Sequence, residues 1–201
     1  MKPEGPVIRR AEIRVETVPL GEVHRLVEEH HYARGGPNTA VFRHGLFWED
    51  RLVGAAQWLP PTKNAANFTT KDDINGNPGP YKGGDWRRVL TLSRLVIAPG
   101  VPKMAATLLL GASTRMIKRD GRRDYLLTFA DKWRGHDGGI YRAAGWAYLG
   151  ETAAENVYVN AEGRMMGRKR GPKCFTHKEM LEQGFIWVGR FSKHRFGKRL
   201  R

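Results

Sequence analysis

The stretch from residue 89 to residue 130 constrains the fold more than any other part of the sequence. Residues 89–98 are rich in Leu and Val and predict a buried strand. Residues 103–119 repeat apolar side chains at helical spacing and predict a helix, with Gly121 as its C-terminal cap. Residues 125–130 predict a second buried strand. A strand, a helix and a strand in this order predict two parallel strands joined by a right-handed crossover.

The segments around this unit predict the rest of the sheet. Two apolar segments, residues 41–48 and 52–59, are joined by a tight turn and predict an antiparallel hairpin. Helices are predicted over residues 21–32 and 138–144. A hairpin beside a parallel pair predicts a mixed central sheet flanked by helices, which is an α/β or α+β fold.

We expect residues 1–201 to form a single domain. A chain of 201 residues that is 40% hydrophobic can bury one core, and this composition excludes disorder over the whole chain. Residues 60–87 are polar and rich in Pro, Gly and Asn, and they predict a loop inserted between the hairpin and the parallel pair. A connection of that length without regular structure is usually functional or disordered.

The positive charge of the chain is concentrated near its C-terminus. The chain has 35 Lys and Arg against 20 Asp and Glu, a formal net charge of +15, and residues 162–201 hold twelve of the former against three of the latter. This asymmetry predicts a polyanion as partner, most often a nucleic acid, although a tail that only aids solubility is an alternative. The candidate phosphate-binding side chains are Arg164, Arg168, Lys169, Arg170, Lys173, Lys193, His194 and Arg195.

The final residues predict a strand followed by an extension. Residues 185–191 predict a closing strand, with Phe185 and Trp187 in the core. Residues 190–201 are strongly basic and predict a C-terminal tail outside the sheet.

Three features predict a cytoplasmic protein without a membrane partner. The longest apolar run, residues 104–112, is too short to cross a bilayer, which takes about 20 apolar residues. Residues 1–10 do not show the charged-then-apolar pattern of a secretory leader. The lone Cys174 excludes an internal disulfide and fits a reducing compartment.

The carboxyl ends of the two parallel strands are the expected position of a ligand site. The segment after the second strand carries Asp131, His136, Asp137 and Tyr141 among several glycines. Asp131 has the chemistry of a general base or of an acceptor for an amino group, and Tyr141 that of a proton donor to a leaving group. The structural alternative is a helix cap at Asp137, an ion pair at Asp131 and a packed ring at Tyr141.

Two further polar positions are candidates on weaker grounds. Arg94 lies in the middle of an apolar strand, where it must be paired or bind an anion. A structural ion pair explains this arginine as well as a substrate clamp does. His30 and His31 end the first predicted helix, but no metal-binding spacing accompanies them.

These residues, taken together, resemble the phage Mom family. The segments that carry the resemblance are residues 92–95, the start of the central helix, Phe129-Ala130-Asp131, Gly135-His136-x-Gly138-x-Ile140-Tyr141, His31-Tyr32 and residues 192–196. Members of this family modify adenine in DNA and look like members of the GNAT acyltransferase superfamily. The resemblance spans about residues 20–196, which is nearly the whole chain, and it implies a GNAT-like fold.

The resemblance also implies an activity and a set of site residues. It implies that N6 of adenine in double-stranded DNA is converted to a methylcarbamoyl-type adduct, which shields DNA from restriction nucleases. The implied catalytic or substrate-site residues are His31, Tyr32, Arg94, Asp131 and Tyr141. Two other functions stay open: a GNAT-type acyl-CoA transferase acting on RNA, protein or a small amine, and a non-catalytic nucleic-acid-binding protein. The oligomeric state is open as well, and a homodimer is allowed.

One segment departs from the pattern of the GNAT superfamily. Residues 99–105 stand where GNAT acetyltransferases present a glycine-containing loop to the pyrophosphate of acetyl-CoA. Pro99 and Pro102 remove two backbone N–H donors from this segment. The segment therefore argues against acetyl-CoA as the donor. The sequence identifies neither the donor nor a metal such as iron.

Overall fold

A mixed β-sheet forms the centre of the molecule, as the sequence predicts. The computed structural model describes residues 12–102 and 104–201. The strands in chain order are β1 (Ile13–Thr17), β2 (Phe42–Trp48), β3 (Arg51–Leu59), β4 (Val89–Ile97), β5 (Tyr125–Asp131), β6 (Ala147–Glu151), β7 (Glu155–Val159), β8 (Met165–Met166), β9 (Lys169–Arg170), β10 (Lys173–Cys174), β11 (Ile186–Phe191) and β12 (Lys193–Arg199). The central sheet has the strand order β1-β2-β3-β4-β5-β12-β6. Its β4–β5 pair is parallel and the β2–β3 hairpin is antiparallel, which confirms both predictions.

Helices cover both faces of this sheet. The helices are α1 (Leu20–His30), α2 (Lys63–Thr70), α3 (Ala105–Asp120), α4 (Gly139–Ala143) and α5 (His177–Glu182). Neighbouring positions on a strand point to opposite faces. Accordingly, Ala55 of β3 belongs to the core formed with α1, and Ala56 belongs to the core formed with α3. The α/β prediction is therefore confirmed, with the sheet between two helical layers.

The central helix α3 follows from its apolar spacing. Leu109, Leu110 and Ile117 are fully buried against the sheet. Gly121 ends the helix at a φ of 80°, which a residue with a side chain rarely adopts. The prediction that the helix begins at residue 103 concerns Lys103, which lies outside the described residues.

The polar segment of residues 60–87 contains a helix, so the prediction of a loop without regular structure is wrong there. The Thr62 hydroxyl accepts a hydrogen bond from the Ala65 N–H and caps the start of α2. Ala65, Ala66 and Thr69 are buried on one side of α2. These small side chains give a weak hydrophobic pattern, which is why the sequence hides the helix.

The prediction of a basic tail over residues 190–201 is also wrong. The strand β12 lies inside the central sheet, paired with β5 on one side and with β6 on the other. Phe196 and Leu200 are buried, whereas Lys198 and Arg195 direct their charged ends to backbone carbonyls. The basic residues hide this strand in the sequence. Phe196 is the one large apolar side chain of β12, so the usual alternation of apolar and polar residues is not visible.

The C-terminal region adds two small sheets beside the central one. One has the order β11-β7-β8, and the other pairs β9 with β10. Trp187 on β11 has an exposed fraction of 47%, so its prediction as a core residue is wrong. Phe185 is half-buried. Among the helices that the structure describes, none has both the length and the apolar character that crossing a membrane requires.

Candidate active site

The two parallel strands separate part of the way along their length and open a cleft. Their last paired residues are Leu92 of β4 and Thr128 of β5. Beyond that pair β4 continues to Ile97 and β5 to Asp131, without pairing to each other. The gap between them is a cleft of about 360 Å³, which we call the first cleft. It lies at the carboxyl ends of the parallel strands, where the sequence predicts the site.

The segment after β5 closes one side of the first cleft. Gly138 precedes α4 at a φ of 79°, and a Cβ on this residue would overlap the ring of Phe196. The glycine in this motif therefore serves both the turn and a close approach to the core. Asp137 is not the N-cap that the sequence predicts, because Gly138 holds that position. The Asp137 carboxylate still accepts a hydrogen bond of 2.9 Å from the Gly139 N–H.

The structure brings four of the five predicted catalytic residues together. His31, Tyr32 and Tyr141 line the first cleft. Asp131 lies behind Tyr32, whose hydroxyl donates a hydrogen bond of 3.5 Å to its Oδ2. Arg94 does not line the first cleft, although it lies on the adjacent strand β4.

His31 is held in one tautomer by the backbone. Its Nδ1 accepts a hydrogen bond of 3.1 Å from the Ala33 N–H, so in the neutral ring the proton is on Nε2. Burial, and then the positive charge of Arg94, lowers the pKa of His31 from 6.5 to about 4. At neutral pH the imidazole is therefore uncharged, and it offers the cleft a hydrogen-bond donor rather than a general base.

Tyr32 lies between the histidine and the aspartate. Its ring stacks on that of His31 with centroids 4.4 Å apart, and the guanidinium of Arg134 lies 5.0 Å from its centroid. Burial, and then the neighbouring charge of Asp131, raises the pKa of Tyr32 to about 12. The phenol therefore keeps its proton at neutral pH, and that proton points to Asp131.

Asp131 is a buried carboxylate with long contacts. Its side chain has an exposed fraction of 5%. Besides the Tyr32 hydroxyl, it faces the ammonium group of Lys193, whose Nζ lies 3.8 Å from Oδ2. Neither contact has the short distance of a strong charge-assisted hydrogen bond. The carboxylate can therefore accept further N–H groups.

Tyr141 lies on the inner side of α4, next to the point where the strands separate. Its ring packs against Trp146 and Phe196, with centroids 5.8 and 5.3 Å away. Both Tyr141 and Thr128, the last paired residue of β5, line the first cleft. Burial raises the pKa of Tyr141. The packed ring that the sequence gives as the structural alternative is therefore present, and the role of Tyr141 as a proton donor stays a prediction.

Arg94 forms no ion pair within the part of the chain that is described, and its partners are backbone carbonyls and a hydroxyl group. Its Nε donates to the Gly35 carbonyl at 2.9 Å, and its Nη1 donates to the Ser93 carbonyl at 2.8 Å. Burial lowers the pKa of Arg94. The guanidinium ties β4 to the segment that follows His31 and Tyr32, so Arg94 positions these two residues.

The eight predicted phosphate-binding residues fall into two groups. Arg168, Lys169 and Lys193 line a cleft of about 600 Å³ that also contains Asp131, which we call the second cleft. The other five contact the protein itself. Their partners are the Arg34 carbonyl for Arg164, Gln183 for Arg170, Glu179 for Lys173, Tyr148 and Glu151 for His194, and the Glu151 carbonyl for Arg195.

The candidate site includes residues that the sequence did not single out. Thr128 donates a hydrogen bond of 3.4 Å to the Leu92 carbonyl at the point of strand separation. Arg134 covers the rings of both Tyr32 and Trp133. His136, noted in the sequence only as a titratable neighbour, contacts Tyr32 edge-on at 5.7 Å. The position of Arg134 and His136 in the Asp131-to-Tyr141 segment was a signal in the sequence, whereas Thr128 lies within the apolar strand β5 and had none.

The donor set does not fit a metal ion at His31. Its Nδ1 is already an acceptor and its Nε2 carries the proton, so neither nitrogen has a free lone pair. No cluster of three or more His, Cys, Asp or Glu that could hold a metal occurs in residues 12–102 and 104–201. The neighbouring His30 lies 3.5 Å from Glu29 on the surface of α1.

Comparison with solved structures defines the class of fold. The spermidine N-acetyltransferase from Vibrio cholerae, solved with CoA and spermine, aligns with a TM-score of 0.54 at 11% identity, covering 95% of this chain and 97% of that one. The IAA acetyltransferase from Bacillus cereus aligns with a TM-score of 0.52 at 9% identity, covering 93% and 99%. The ribosomal-protein-S18-alanine N-acetyltransferase from Escherichia coli gives 0.52 at 9% identity, covering 94% of each chain. The fold is that of the GNAT acetyltransferases, as the resemblance implies.

Sequence comparison identifies the family within that class. Residues 12–199 match the Mom protein family, and the chain belongs to this family. A relative, the methylcarbamoylase Mom of Escherichia phage Mu, is 21% identical over 195 residues, which cover 92% of this chain and 74% of that protein. The family and the fold together indicate a transferase.

Proposed function

We propose that this protein transfers a methylcarbamoyl-type group to the N6 amine of adenine in duplex DNA. Membership of the Mom family and the name of the phage Mu relative support the proposal. The product would protect DNA from restriction nucleases, in the host cytoplasm where phage DNA is replicated. The observation that carries the proposal is the assembly of His31, Tyr32, Asp131 and Tyr141 around the separation of β4 and β5.

The side chains present match the needs of group transfer to an amine. The N6 nitrogen forms a bond to the carbonyl carbon of an activated acyl-type donor, and the bond from that carbon to the leaving group breaks. N6 loses one proton and the leaving group gains one. Asp131 is the proton acceptor, because it is a buried carboxylate beside the cleft.

Two neutral hydrogen-bond donors of the protein can act on the acyl-type donor molecule. His31 Nε2–H is suited to stabilise negative charge on the carbonyl oxygen, because its ring is uncharged and held by Ala33. Tyr141 keeps its phenolic proton and can pass it to the leaving group. Tyr32 orients Asp131 through its hydroxyl.

The reaction requires that the adenine leave the duplex. Its amino group is paired inside the stack, and extruding a nucleotide costs a few kcal/mol. Basic side chains that bind the flanking phosphates repay this cost. The net charge of +15 supports a duplex DNA partner.

The turn before α3 supports a donor other than acetyl-CoA. Pro99 and Pro102 have no N–H, and the Ala105 N–H is already bonded to the Pro102 carbonyl at 2.9 Å. The residues present therefore do not fit the pyrophosphate of CoA in the manner usual for this fold. We likewise assign no metal, because the nitrogen atoms of His31 are committed.

An acyl-CoA transferase acting on RNA, protein or a small amine is the second candidate. Its support is the fold, because a neighbour with the same architecture is solved with CoA and spermine. The third possibility, a DNA-binding protein without activity, has less support, since His31, Tyr32 and Tyr141 line one cleft and Asp131 contacts Tyr32.

Mass spectrometry of nucleosides tests these functions. DNA is isolated from cells that express the protein in a competent host, digested, and compared with DNA from cells carrying the empty vector. We expect a modified deoxyadenosine with the mass of a methylcarbamoyl-type adduct. Unmodified deoxyadenosine, together with saturable binding of acetyl-CoA by the purified protein, would instead establish the second candidate.

A further inference from the structure

The Tyr32–Asp131 contact joins the two clefts, because Tyr32 lines the first cleft and Asp131 lines the second. Its volume of about 600 Å³ is within the roughly 300–1,000 Å³ of small-ligand sites. β7, β8, β9, β10 and β11 provide most of its walls, while Asp131 and Lys193 reach it from the central sheet. The C-terminal region therefore builds a pocket directly beside the candidate catalytic residues.

Basic side chains outnumber carboxylates in this pocket. Its lining contains Arg168, Lys169, Arg190 and Lys193, against Asp131 and Glu155. The Arg168 guanidinium donates to the Phe175 carbonyl at 2.7 Å, and that of Arg190 to the Ala154 carbonyl at 3.0 Å. Each keeps further N–H donors, because a guanidinium has five. These groups suit the phosphates of a nucleotide.

Asp131 gives the pocket a site for an amino group. Its side chain is 5% exposed, and its contacts to Tyr32 and Lys193 are 3.5 and 3.8 Å long. A carboxylate has about four acceptor positions, so these two long contacts leave acceptor capacity. An exocyclic N–H₂ group can use that capacity.

The lining of the second cleft is partly apolar. Met165, Met166 and Phe191 line it and are half-buried. Thioether and aromatic side chains make favourable contacts with flat aromatic rings. The pocket therefore combines phosphate-binding cations, surfaces for a planar base and an acceptor for its amine.

We propose that the second cleft binds the adenine nucleotide that has been extruded from duplex DNA. The amine points to Asp131, and the flanking phosphates contact Arg168, Lys169 and Arg190. This inference rests on the proposed function and adds the place of the acceptor: the donor occupies the first cleft, and the two substrates meet at Tyr32 and Asp131.

Cys174 provides a direct probe, because it is exposed, lines the second cleft and is the single cysteine of the chain. The experiment measures the rate at which N-ethylmaleimide alkylates this thiol in the presence of short DNA duplexes. One duplex carries an adenine opposite an abasic site, which lowers the cost of extrusion, and the other carries a thymine there.

The adenine duplex is expected to protect Cys174 more than the thymine duplex. The predicted difference in alkylation rate is about tenfold, the effect of one hydrogen bond to a charged group. Equal rates with the two duplexes, or no protection by either, would overturn the proposal. As a control, Cys174→Ser with Lys118→Cys moves the thiol to the exposed side of α3, outside the second cleft. Its alkylation should not distinguish the two duplexes.

Nucleoside analysis of cells expressing Lys169→Gln or Arg190→Gln separates this inference from the proposed function. Both side chains are exposed, so the substitutions should leave the fold intact. If the wild type forms the adduct and these variants form as much, the second cleft is not the acceptor site, although the proposed function stands. If the wild type forms no adduct and the adenine duplex still protects Cys174, the nucleotide site stands and the transferase function fails.

Discussion

At the scale of single residues, His31 shows how a backbone contact sets the chemistry of a side chain. The Ala33 N–H occupies Nδ1, and burial keeps the ring neutral. The sequence identified His31 through a resemblance, but it could not specify the tautomer. That information depends on where the chain turns after α1, which becomes clear only in three dimensions.

Substitution of His31 tests whether it acts as a neutral donor. His31→Gln keeps an N–H donor and a nearby acceptor, so we expect adduct formation to be reduced but measurable. His31→Ala removes the donor, and we expect a loss on the order of 10²-fold, as for one donor to a developing oxyanion. The measurement is the fraction of modified deoxyadenosine in cellular DNA. An equal loss of adduct in the two variants would instead indicate that His31 acts as a general base.

The buried His44 makes stability depend on pH. Its exposed fraction is 2%, its Nδ1 lies 2.6 Å from the Ser113 hydroxyl, and burial lowers its pKa from 6.5 to about 4. The unfolded chain binds the proton of this histidine more tightly than the folded chain does. The contribution of His44 to the free energy of unfolding is therefore fully present above pH 6.5 and decreases as the pH falls towards 4. Between pH 7 and pH 5 the free energy of unfolding should fall by about 2 kcal/mol more for the wild type than for His44→Gln. Urea denaturation at both pH values measures the difference, and parallel losses would contradict it.

At the scale of elements, β12 shows the largest difference between the prediction from the sequence and the structure. Its seven residues include four Lys or Arg, so composition indicated a tail, whereas pairing with β5 and β6 places it inside the sheet. The parallel unit of β4, α3 and β5 was predictable, because its apolar residues follow each element's period. The helix α2 was not, since its buried side is made of Ala and Thr.

Removing the Phe196 side chain tests the position of β12. The ring is fully buried and contacts Tyr141 and Tyr148, so Phe196→Ala should lower the free energy of unfolding by about 3–5 kcal/mol. Ile186→Ala on the exposed face of β11 should change it by less than about 1 kcal/mol. Chemical denaturation of both variants measures this. A flexible tail would make the two substitutions equally mild.

At the scale of the whole molecule, the 35 Lys and Arg are divided between two uses. Arg88 pairs with Asp124 and Arg122 with Asp120, and several C-terminal cations hold backbone carbonyls. Only some of these cations are therefore available to a polyanion. Composition predicted the class of partner, but it could not separate structural cations from those that line the second cleft.

The salt dependence of DNA binding distinguishes these two groups. Lys169→Gln removes a cation that lines the second cleft, so the slope of log affinity against log salt should decrease by about one. Arg195 donates to the Glu151 carbonyl and lies over the Phe68 ring, so Arg195→Gln should leave the slope unchanged. Fluorescence anisotropy at several salt concentrations gives both slopes. Equal changes of the slope in the two variants would contradict the division of the cations into a DNA-binding group and a structural group.

The most direct test of the central claim is the mass spectrum of nucleosides from cells that express the wild type, Asp131→Asn or Asp50→Asn. Asp131→Asn keeps the shape of the buried side chain but removes its capacity to take a proton. Asp50 lies in the β2–β3 turn at a φ of 60°, which Asn tolerates, so it is the matched control. We predict a modified deoxyadenosine with the wild type and with Asp50→Asn, and a loss of at least about 10²-fold with Asp131→Asn. Undiminished adduct with Asp131→Asn, or none with the wild type, would contradict the account.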